Sequence, residues 1–197
     1  MSEVAEAETS RYRRVLRAAE ELFKRDGFRG VTMEAVARGA AVAKPTLYSY
    51  FKNKDELYVA VCARLTRLLR ETVEHALTSD EPLDARLANA IVAKHRVVFT
   101  LVRSSPHAAE LFSAKDATAA QLFADLDETL LGLLAGALRV DDALARRADT
   151  LARALYFGSA ELAARSASAD AMDAEVRDFV AVYLAGARAL ARKDALP

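Results

Sequence analysis

The chain has 197 residues, of which 53% are hydrophobic, and its 28 Lys and Arg residues balance its 28 Asp and Glu residues. This is enough apolar material for one large or two small domains, and few Gly and Pro residues in an Ala- and Leu-rich sequence favour helices over strands. Cys62 is the single cysteine, which excludes an internal disulfide framework, and the lack of a long apolar run or a basic leader predicts a cytoplasmic protein without a membrane span.

The first predicted helix follows an acidic segment, residues 1–10, that we expect to be a disordered tail. Apolar residues recur with helical spacing over residues 11–25 and form one stripe: Val15, Leu16, Ala19, Leu22 and Phe23. Gly27 is suited to a left-handed residue at the end of this helix.

Two short helices are predicted next, separated by the turn of residues 40–43. Thr32 is a good N-cap for the first of them. The second begins near Lys44, with Pro45 in its first turn, and places Leu47, Tyr50 and Phe51 on its inner face. A short turn between two short helices, after an amphipathic helix, is typical of a helix-turn-helix.

The remainder of the chain reads as longer helices with brief breaks and no strand-like alternation. Asn53, with Glu56 three residues later, resembles a capping box at the start of the fourth helix. The sequence predicts an all-α protein of about nine helices, the later ones near residues 54–77, 82–104, 106–113, 115–138, 141–166 and 172–192.

The charges are distributed unevenly. Residues 11–54 carry a net charge of +7, whereas residues 1–10 carry −3 and residues 55–197 carry −4. A basic block on an otherwise acidic chain indicates a polyanionic partner for that block.

The second helix of the helix-turn-helix would offer its outer face to the major groove of DNA. On a helical wheel, this face contains Pro45, Thr46, Tyr48, Ser49 and Lys52. Hydroxyl groups of this kind bond to base edges or phosphates. Lys54 lies in the first turn of the fourth helix, where unpaired backbone N–H groups favour an anion such as phosphate.

The stretch Thr32–Ala37, followed by Val42–Leu57, resembles the signature of the TetR (tetracycline repressor) family. The resemblance implies a three-helix helix-turn-helix head over residues 11–54 and an antiparallel helical domain for effector binding and dimerisation over residues 55–197. It implies DNA contacts from Thr32, Lys44, Thr46, Tyr48, Tyr50 and Lys54, with Pro45 and Ser49 at base-reading positions. Ala41 and Ala43 depart from the family pattern, which usually has Gly and often Ser there. Each change weakens the turn by roughly 1 kcal/mol if the first site needs a positive φ and the second a side-chain cap.

The predicted C-terminal domain carries candidate residues for two further roles. The candidate ligand-binding residues combine apolar and polar side chains: His95, Phe99, Arg103, Phe112, Phe123 and Tyr156. The candidates for a homodimer interface lie on the last two helices: Leu151, Leu155, Gly158, Leu162, Val176, Phe179, Val180 and Tyr183. Both groups are alternatively explained as ordinary core residues.

These observations predict a DNA-binding transcriptional regulator without a cofactor or a metal. We expect a homodimeric repressor that leaves a palindromic double-stranded DNA operator when a small, largely apolar effector binds. The alternatives are an activator, a partner-binding adaptor and an all-helical enzyme, although the sequence has none of the common catalytic motifs. His107 and Glu110 have a spacing compatible with metal binding but lack a third ligand.

Overall fold

The structure, a computed structural model, describes residues 3–103, 107 and 117–194, with side chains from residue 9 onward. Every regular element within these ranges is an α-helix, which confirms the all-α class. The described part of the chain contains nine helices: α1 (Glu3–Gly30), α2 (Met33–Gly39), α3 (Lys44–Tyr50), α4 (Lys54–Leu77), α5 (Leu83–Arg103), α6 (Ala117–Leu138), α7 (Asp142–Ala145), α8 (Ala148–Arg165) and α9 (Ala169–Asp194). None of them is long and apolar enough to cross a lipid bilayer.

Helix α1 is longer than the sequence predicts. It begins at Glu3, inside the segment expected to be a disordered tail, and the Ala and Glu residues of that segment are good helix formers. Near its other end, Gly27 has φ 69° and ψ 166°, so the helix is interrupted there before its last turn. The positive φ agrees with the prediction, but the extended ψ differs from that of a left-handed cap, and only glycine adopts this conformation readily.

The helix predicted near residues 141–166 is two helices in the structure. Asp141 caps the first, α7, because its side chain accepts a hydrogen bond from the N–H of Ala143 at 2.9 Å. Arg147 then leaves the helical conformation, with φ −117° and ψ 11°, and α8 starts after it. The predicted short helix near residues 106–113 lies outside the described residues, apart from residue 107. The described residues form nine helices, as many as the sequence predicts. The nine differ, because α7 and α8 replace one predicted helix and the predicted helix near residues 106–113 is not among them.

The chain forms two compact units. Unit 1 contains Met1–Arg67 and Leu101–Ala124. Its core is built from the inner faces of α1 to α3 and the first half of α4, and it includes Val15, Phe23, Val36, Leu47, Leu57 and Cys62. The start of α6 contributes Ala119 to the same core. The sequence predicts a boundary between a DNA-binding domain and an effector-binding domain at residues 54 and 55. This boundary is defined by function and stays a prediction.

Unit 2 contains Leu68–Thr100 and Asp125–Pro197. Helix α8 packs against α9, and α7 contacts both. Large side chains that are fully buried fill this core: Leu87, Leu130, Leu134, Leu155, Met172 and Leu184. Arg188 ties α9 to the start of α5 through Asp84, at 2.6 and 2.8 Å, and to the cap of α7 through Asp141, at 2.8 Å.

Candidate functional site

The turn between α2 and α3 is a helix C-terminal motif closed by two backbone hydrogen bonds. The N–H of Ala41 donates to the carbonyl of Arg38 at 3.1 Å, and the N–H of Val42 donates to the carbonyl of Ala37 at 3.0 Å. This pair of bonds is the Schellman pattern, which requires a left-handed residue at its fifth position. Ala41 occupies that position with φ 52° and is the one non-glycine residue with a positive φ in the described ranges. Whether the site of Ala41 needs a positive φ is left open by the sequence, and the structure shows that it does.

Helix α2 has a side-chain cap, whereas α3 does not. The hydroxyl of Thr32 accepts a hydrogen bond from the N–H of Ala35 at 3.2 Å, as the sequence predicts. Ala43 is the N-cap of α3 and offers no side-chain acceptor. The first N–H groups of α3 therefore lack the side-chain partner that a Ser or Asp at this position would supply.

Helix α3 separates an apolar inner face from a polar outer face. Leu47 is fully buried and Phe51, its C-cap, is 5% exposed, so both inward predictions are confirmed. Lys44, Pro45 and Ser49 are exposed, Tyr48 is 40% exposed and Thr46 is half-buried. The hydroxyl of Ser49 donates to the carbonyl of Thr46 at 2.8 Å. The outer face is accessible to a large partner, and contact of these residues with DNA stays a prediction.

Lys44 has an acidic neighbour at the rim of this face. Its ammonium forms a salt bridge with Glu34 of α2 and lies 5.8 Å from the centroid of the Tyr48 ring. The hydrogen bond between the two side chains raises the pKa of Lys44 and lowers the pKa of Glu34. Since both side chains are more than half exposed, a phosphate can compete for the ammonium at little cost.

Lys54 is directed into unit 1, which the sequence did not reveal. Its ammonium donates to the carbonyl of Phe28 at 2.8 Å and to that of Val31 at 3.0 Å, and it lies 4.5 Å from the centroid of the Phe28 ring. Lys54 thereby joins the start of α4 to the segment between α1 and α2. These bonds stabilise the position of the helix-turn-helix. The contact of Lys54 with a phosphate stays a prediction, and such a contact would compete with the two bonds.

The start of α4 carries a modified capping box. The side chain of Asn53 accepts the N–H of Glu56 at 2.8 Å, as predicted. The carboxylate of Glu56 accepts the N–H of Lys52 at 2.8 Å, where the usual box has the N–H of the cap residue itself. The α3–α4 junction is therefore fixed by local bonds.

Tyr50 belongs to an aromatic cluster with α1. Its ring meets the ring of Tyr12 edge-on at 5.7 Å, and Phe51 stacks on Tyr12 at 5.5 Å. Tyr50 is half-buried, which agrees with its predicted place on the inner face of α3. Its expected contact with DNA, which rests on the family resemblance, is untested.

A basic strip lies on the N-terminal half of α1. Arg11, Arg13, Arg14 and Arg17 are all exposed, and within the described ranges none of them forms a salt bridge. This strip and Lys44 of α3 supply five of the eleven Lys and Arg residues in residues 11–54.

Unit 2 contains a small cavity next to a half-buried cation, Lys94. The cavity has a volume of about 10 Å³, roughly the space for one water molecule. Its lining residues come from α4, α5, α6 and α8: Val73, Ala90, Ile91, Lys94, Leu130, Leu134 and Tyr156. The Lys94 ammonium lies 3.7 Å from the centroid of the Tyr156 ring, and the Tyr156 hydroxyl donates to Asp127. Burial lowers the pKa of Lys94 to about 8, although the nearby Asp127 opposes this shift.

The predicted ligand-binding residues do not converge on one cavity. Tyr156 lines the cavity of unit 2, and the adjacent His95 is buried and paired with Ser159 at 2.9 Å. Since the Ser159 hydroxyl donates to the carbonyl of Tyr156, the His95 Nε2 donates to that hydroxyl. Phe123 instead packs against the core of unit 1, to which the first turns of α6 belong, and its contact with a ligand stays a prediction.

The other three candidate ligand-binding residues do not line this cavity or lie outside the described part of the chain. Phe99 is half-buried in unit 2 and does not line the cavity, and Arg103 is exposed in unit 1. Phe112 lies outside the described residues. Sequence reasoning missed Lys94 and Asp127, since a lysine and an aspartate on amphipathic helices look like ordinary surface residues.

A second depression of unit 2 is a less suitable ligand site. It is an open groove of about 820 Å³ along α4, α5 and α9. Its polar residues already pair with one another: Arg96 with Asp173 at 2.8 Å, and Arg177 with Asn89 at 2.7 Å. Among the described residues, no group of three potential ligands could hold a metal ion.

The predicted dimer-interface residues divide into two sets. Leu151, Leu155, Val176 and Val180 are at most 5% exposed and are buried in the core that α8 and α9 share, and their place at a dimer interface stays a prediction. Leu162, Phe179 and Tyr183 are half-buried and Gly158 is exposed. A Cβ atom on Gly158 would lie 2.8 Å from the Phe179 ring, so this glycine lets that ring pack closely.

Large apolar side chains also face outward on α8 and α9, and sequence reasoning missed two of them, Phe157 and Val182. Phe157 is 51% exposed, Val182 74% and Leu190 56%. We call these three residues, together with Gly158 and the Phe179 ring that packs over it, the α8–α9 face.

The sequence of the N-terminal helices matches a known family model. Residues 15–61 fit the model described as bacterial regulatory proteins, tetR family. The resemblance to the tetR family is therefore confirmed over residues 15–61. The match covers α2, α3, most of α1 and the start of α4, which is the region that holds the turn at Ala41 and the outer face of α3.

Individual curated proteins are similar to part of this chain. The transcriptional activator FasR of Mycolicibacterium smegmatis is 38% identical over 79 residues, which are 40% of this chain and 36% of FasR. The chain spans well under two thirds of the length of the curated relatives that it matches.

Solved structures resemble the chain over more of its length. A TetR-like transcriptional regulator from Rhodococcus sp. RHA1 has a TM-score of 0.65 and 25% identity, covering 89% of this chain and 96% of the other. The regulator FadR of Bacillus subtilis, solved with stearoyl-CoA, has a TM-score of 0.64 and 20% identity, covering 86% and 97%. The latter likeness concerns the fold alone.

Proposed function

We propose that this chain is a DNA-binding transcriptional regulator that acts as a homodimer and responds to a small, largely apolar effector. The observation that carries the proposal is the outer face of α3, where Lys44, Pro45, Tyr48 and Ser49 are exposed on a helix whose other side is locked into the core. The helix is narrow enough for the major groove, and the basic strip of α1 adds the positive charge that attracts the phosphate backbone.

The contacts with DNA divide into two kinds. Pro45, Thr46 and Ser49 are proposed to face base edges, and Tyr48 to reach bases or a phosphate. Lys44 and Thr32 are proposed to contact phosphates, with Lys44 exchanging Glu34 for a phosphate oxygen. Lys54 supports the domain from within, and its charge adds to the field at the start of α4.

The test of DNA binding is a fluorescence-anisotropy titration of the full chain. The labelled duplex is the DNA upstream of its own operon, measured at 100 mM and 200 mM salt against a scrambled duplex. Tyr48→Ala and Lys44→Ala are expected to weaken specific binding by about 5- to 100-fold each, or about 1–3 kcal/mol. Lys193→Ala, an exposed lysine at the end of α9, is the matched control and should bind like the wild type. Equal affinity for both duplexes at both salt concentrations would refute specific recognition.

The α8–α9 face is proposed as the dimer interface. Two copies of one recognition helix read half-sites about 34–36 Å apart, so palindromic recognition needs a two-fold partner. Val182→Arg is expected to produce monomers in sedimentation velocity at micromolar concentration. Val140→Arg is the matched control, because Val140 is also 74% exposed but lies between α6 and α7. A wild-type chain that sediments as a monomer, or a Val182→Arg variant that remains dimeric, would contradict the assignment.

The proposed direction of regulation is repression relieved by the effector. The dimer covers its operator, and an effector that binds better to a conformation with mismatched half-site spacing releases it. Helix α4 begins in unit 1 and ends in unit 2, so a shift of this helix changes both units. FasR is an activator, so a reporter gene behind the operator decides the direction: repression predicts higher expression when the regulator is deleted, and activation predicts lower expression.

A further inference from the structure

The cavity of unit 2 holds a cation whose charge has no matching partner at close range. Among the described residues no carboxylate lies within 4.0 Å of the Lys94 ammonium, and its near neighbour is the face of the Tyr156 ring. The closest acidic group is Asp127, whose carboxylate accepts the hydroxyl of that same tyrosine. A desolvated ammonium in this position gains more from an added anion than an exposed lysine would.

The remainder of the cavity is apolar. Val73 of α4, Ile91 of α5, and Leu130 and Leu134 of α6 surround it. A cavity that combines an apolar wall with one charged group has the character of a site for an amphipathic ligand, in which the polar group fixes orientation and the wall contributes most of the buried area. Lys94 is the group that would fix the orientation.

We propose that this cavity binds the effector, and that the effector is an apolar carboxylic acid whose carboxylate pairs with Lys94. The proposal rests on the ligand-responsive function given above and names its ligand class. The hydrocarbon part of the acid lies among Val73, Ile91, Leu130 and Leu134, and Asp127 holds the Tyr156 ring beneath the ammonium.

The size of the cavity connects ligand binding to a change of conformation. About 10 Å³ accommodates one water molecule, whereas a chain of several methylene groups needs many times this volume. The acid therefore binds a state in which the helices around the cavity have separated, and it stabilises that state by its differential affinity. Val73 lies on the part of α4 that belongs to unit 2, and the first part of α4 belongs to unit 1. Opening the cavity therefore displaces a helix that both units share.

The main alternatives to a carboxylate ligand are a cationic ligand and a neutral one. A cationic ligand would have to replace the Tyr156 hydroxyl at Asp127 and sit beside the Lys94 ammonium, which repels it. A neutral ligand of equal length would bury the same apolar surface but leave the ammonium without a partner. The three ligand charges therefore give different binding results.

The experiment is isothermal titration calorimetry of the full chain with decanoate, 1-decanol and decylammonium below their aggregation limits. Decanoate is expected to bind at least tenfold more tightly than decanol. Lys94→Met is expected to weaken decanoate binding by about 10- to 100-fold, the usual effect of losing a charged hydrogen bond, and to leave decanol binding within about threefold of wild type. Lys193→Met is the matched control and should bind decanoate like the wild type.

Three outcomes would overturn the proposal. These are equal binding of decanoate and decanol, tightest binding of decylammonium with loss in Asp127→Asn, or no binding of any of the three. Since calorimetry needs no DNA, its result is separate from that of operator binding. Specific operator binding without decanoate binding would refute this site and leave the proposed function standing, whereas decanoate binding without operator recognition would refute the proposed function and leave the site.

Discussion

Replacing Lys94 with Met should make the protein more stable, because the ammonium is held where charge is unfavourable. The pKa of Lys94 is about 8, against an ordinary 10.5. A difference of this size corresponds to about 3 kcal/mol of destabilisation of the folded state at pH 7. The Met side chain also loses the cation–π contact with the Tyr156 ring, which reduces the gain in stability by about 1 kcal/mol. We therefore expect Lys94→Met to raise the free energy of unfolding by about 2 kcal/mol at pH 7.

The gain should depend on pH in a defined way. A base whose folded pKa is lowered destabilises the folded state below that pKa, and the penalty disappears as pH rises from about 8 to 10.5. The advantage of Lys94→Met should therefore shrink by about 2 kcal/mol between pH 7 and pH 9.5. The groups facing Lys94 are Asp127, His95 and Tyr156. Burial lowers the pKa of His95 to about 3 and raises that of Tyr156, so neither changes its protonation in this interval.

The assay is urea unfolding followed by circular dichroism at pH 7.0, 8.5 and 9.5, with thermal melts as a second measure. For a chain of this length, 2 kcal/mol corresponds to roughly 4–8 °C in Tm. Lys193→Met, at an exposed site, should stay within about 0.5 kcal/mol of the wild type at each pH. A Lys94→Met variant that is no more stable than the wild type, or whose advantage is the same at all three pH values, would refute the description of Lys94 as a desolvated cation.

Three further predictions concern the turn at Ala41, the salt bridge between Glu34 and Lys44, and the ion pairs of Arg188. Ala41→Gly should stabilise the protein by about 0.5–1 kcal/mol in urea unfolding, because the left-handed strain exceeds the added entropy of the unfolded chain; a loss of stability would contradict the strained turn. Glu34→Gln should tighten operator binding several-fold at 100 mM salt, because it removes the carboxylate that competes with phosphate for Lys44; unchanged anisotropy titrations would rule out that competition. Arg188→Met should lower the free energy of unfolding by about 1–2 kcal/mol at pH 7. Because Arg188 lowers the pKa of Asp84, this stabilisation is fully present above the ordinary carboxyl pKa of about 4 and is lost as pH falls through the lowered pKa. A deficit at pH 2.5 as large as that at pH 7 would contradict the ion-pair explanation.

Local signals in the sequence determined the helix-turn-helix. The cap at Thr32, the turn at Ala41 and the inner face of Leu47 and Phe51 depend on residues within a few positions of one another. Such features are set by backbone geometry and helical periodicity, which the sequence records directly. The bounds of α4 are predictable for the same reason, since a cap at Asn53 begins it and an apolar stripe continues through it.

Tertiary structure alone decided which apolar and charged side chains work together. Periodicity marks Leu155 and Val180 as apolar, but it does not separate the core of one subunit from a face between two subunits, because both require the same residue types. Lys94, Asp127 and Tyr156 are far apart along the chain and meet through the packing of α5, α6 and α8. Burial, and hence the low pKa of Lys94, is a property of this packing, so no local pattern could have indicated it.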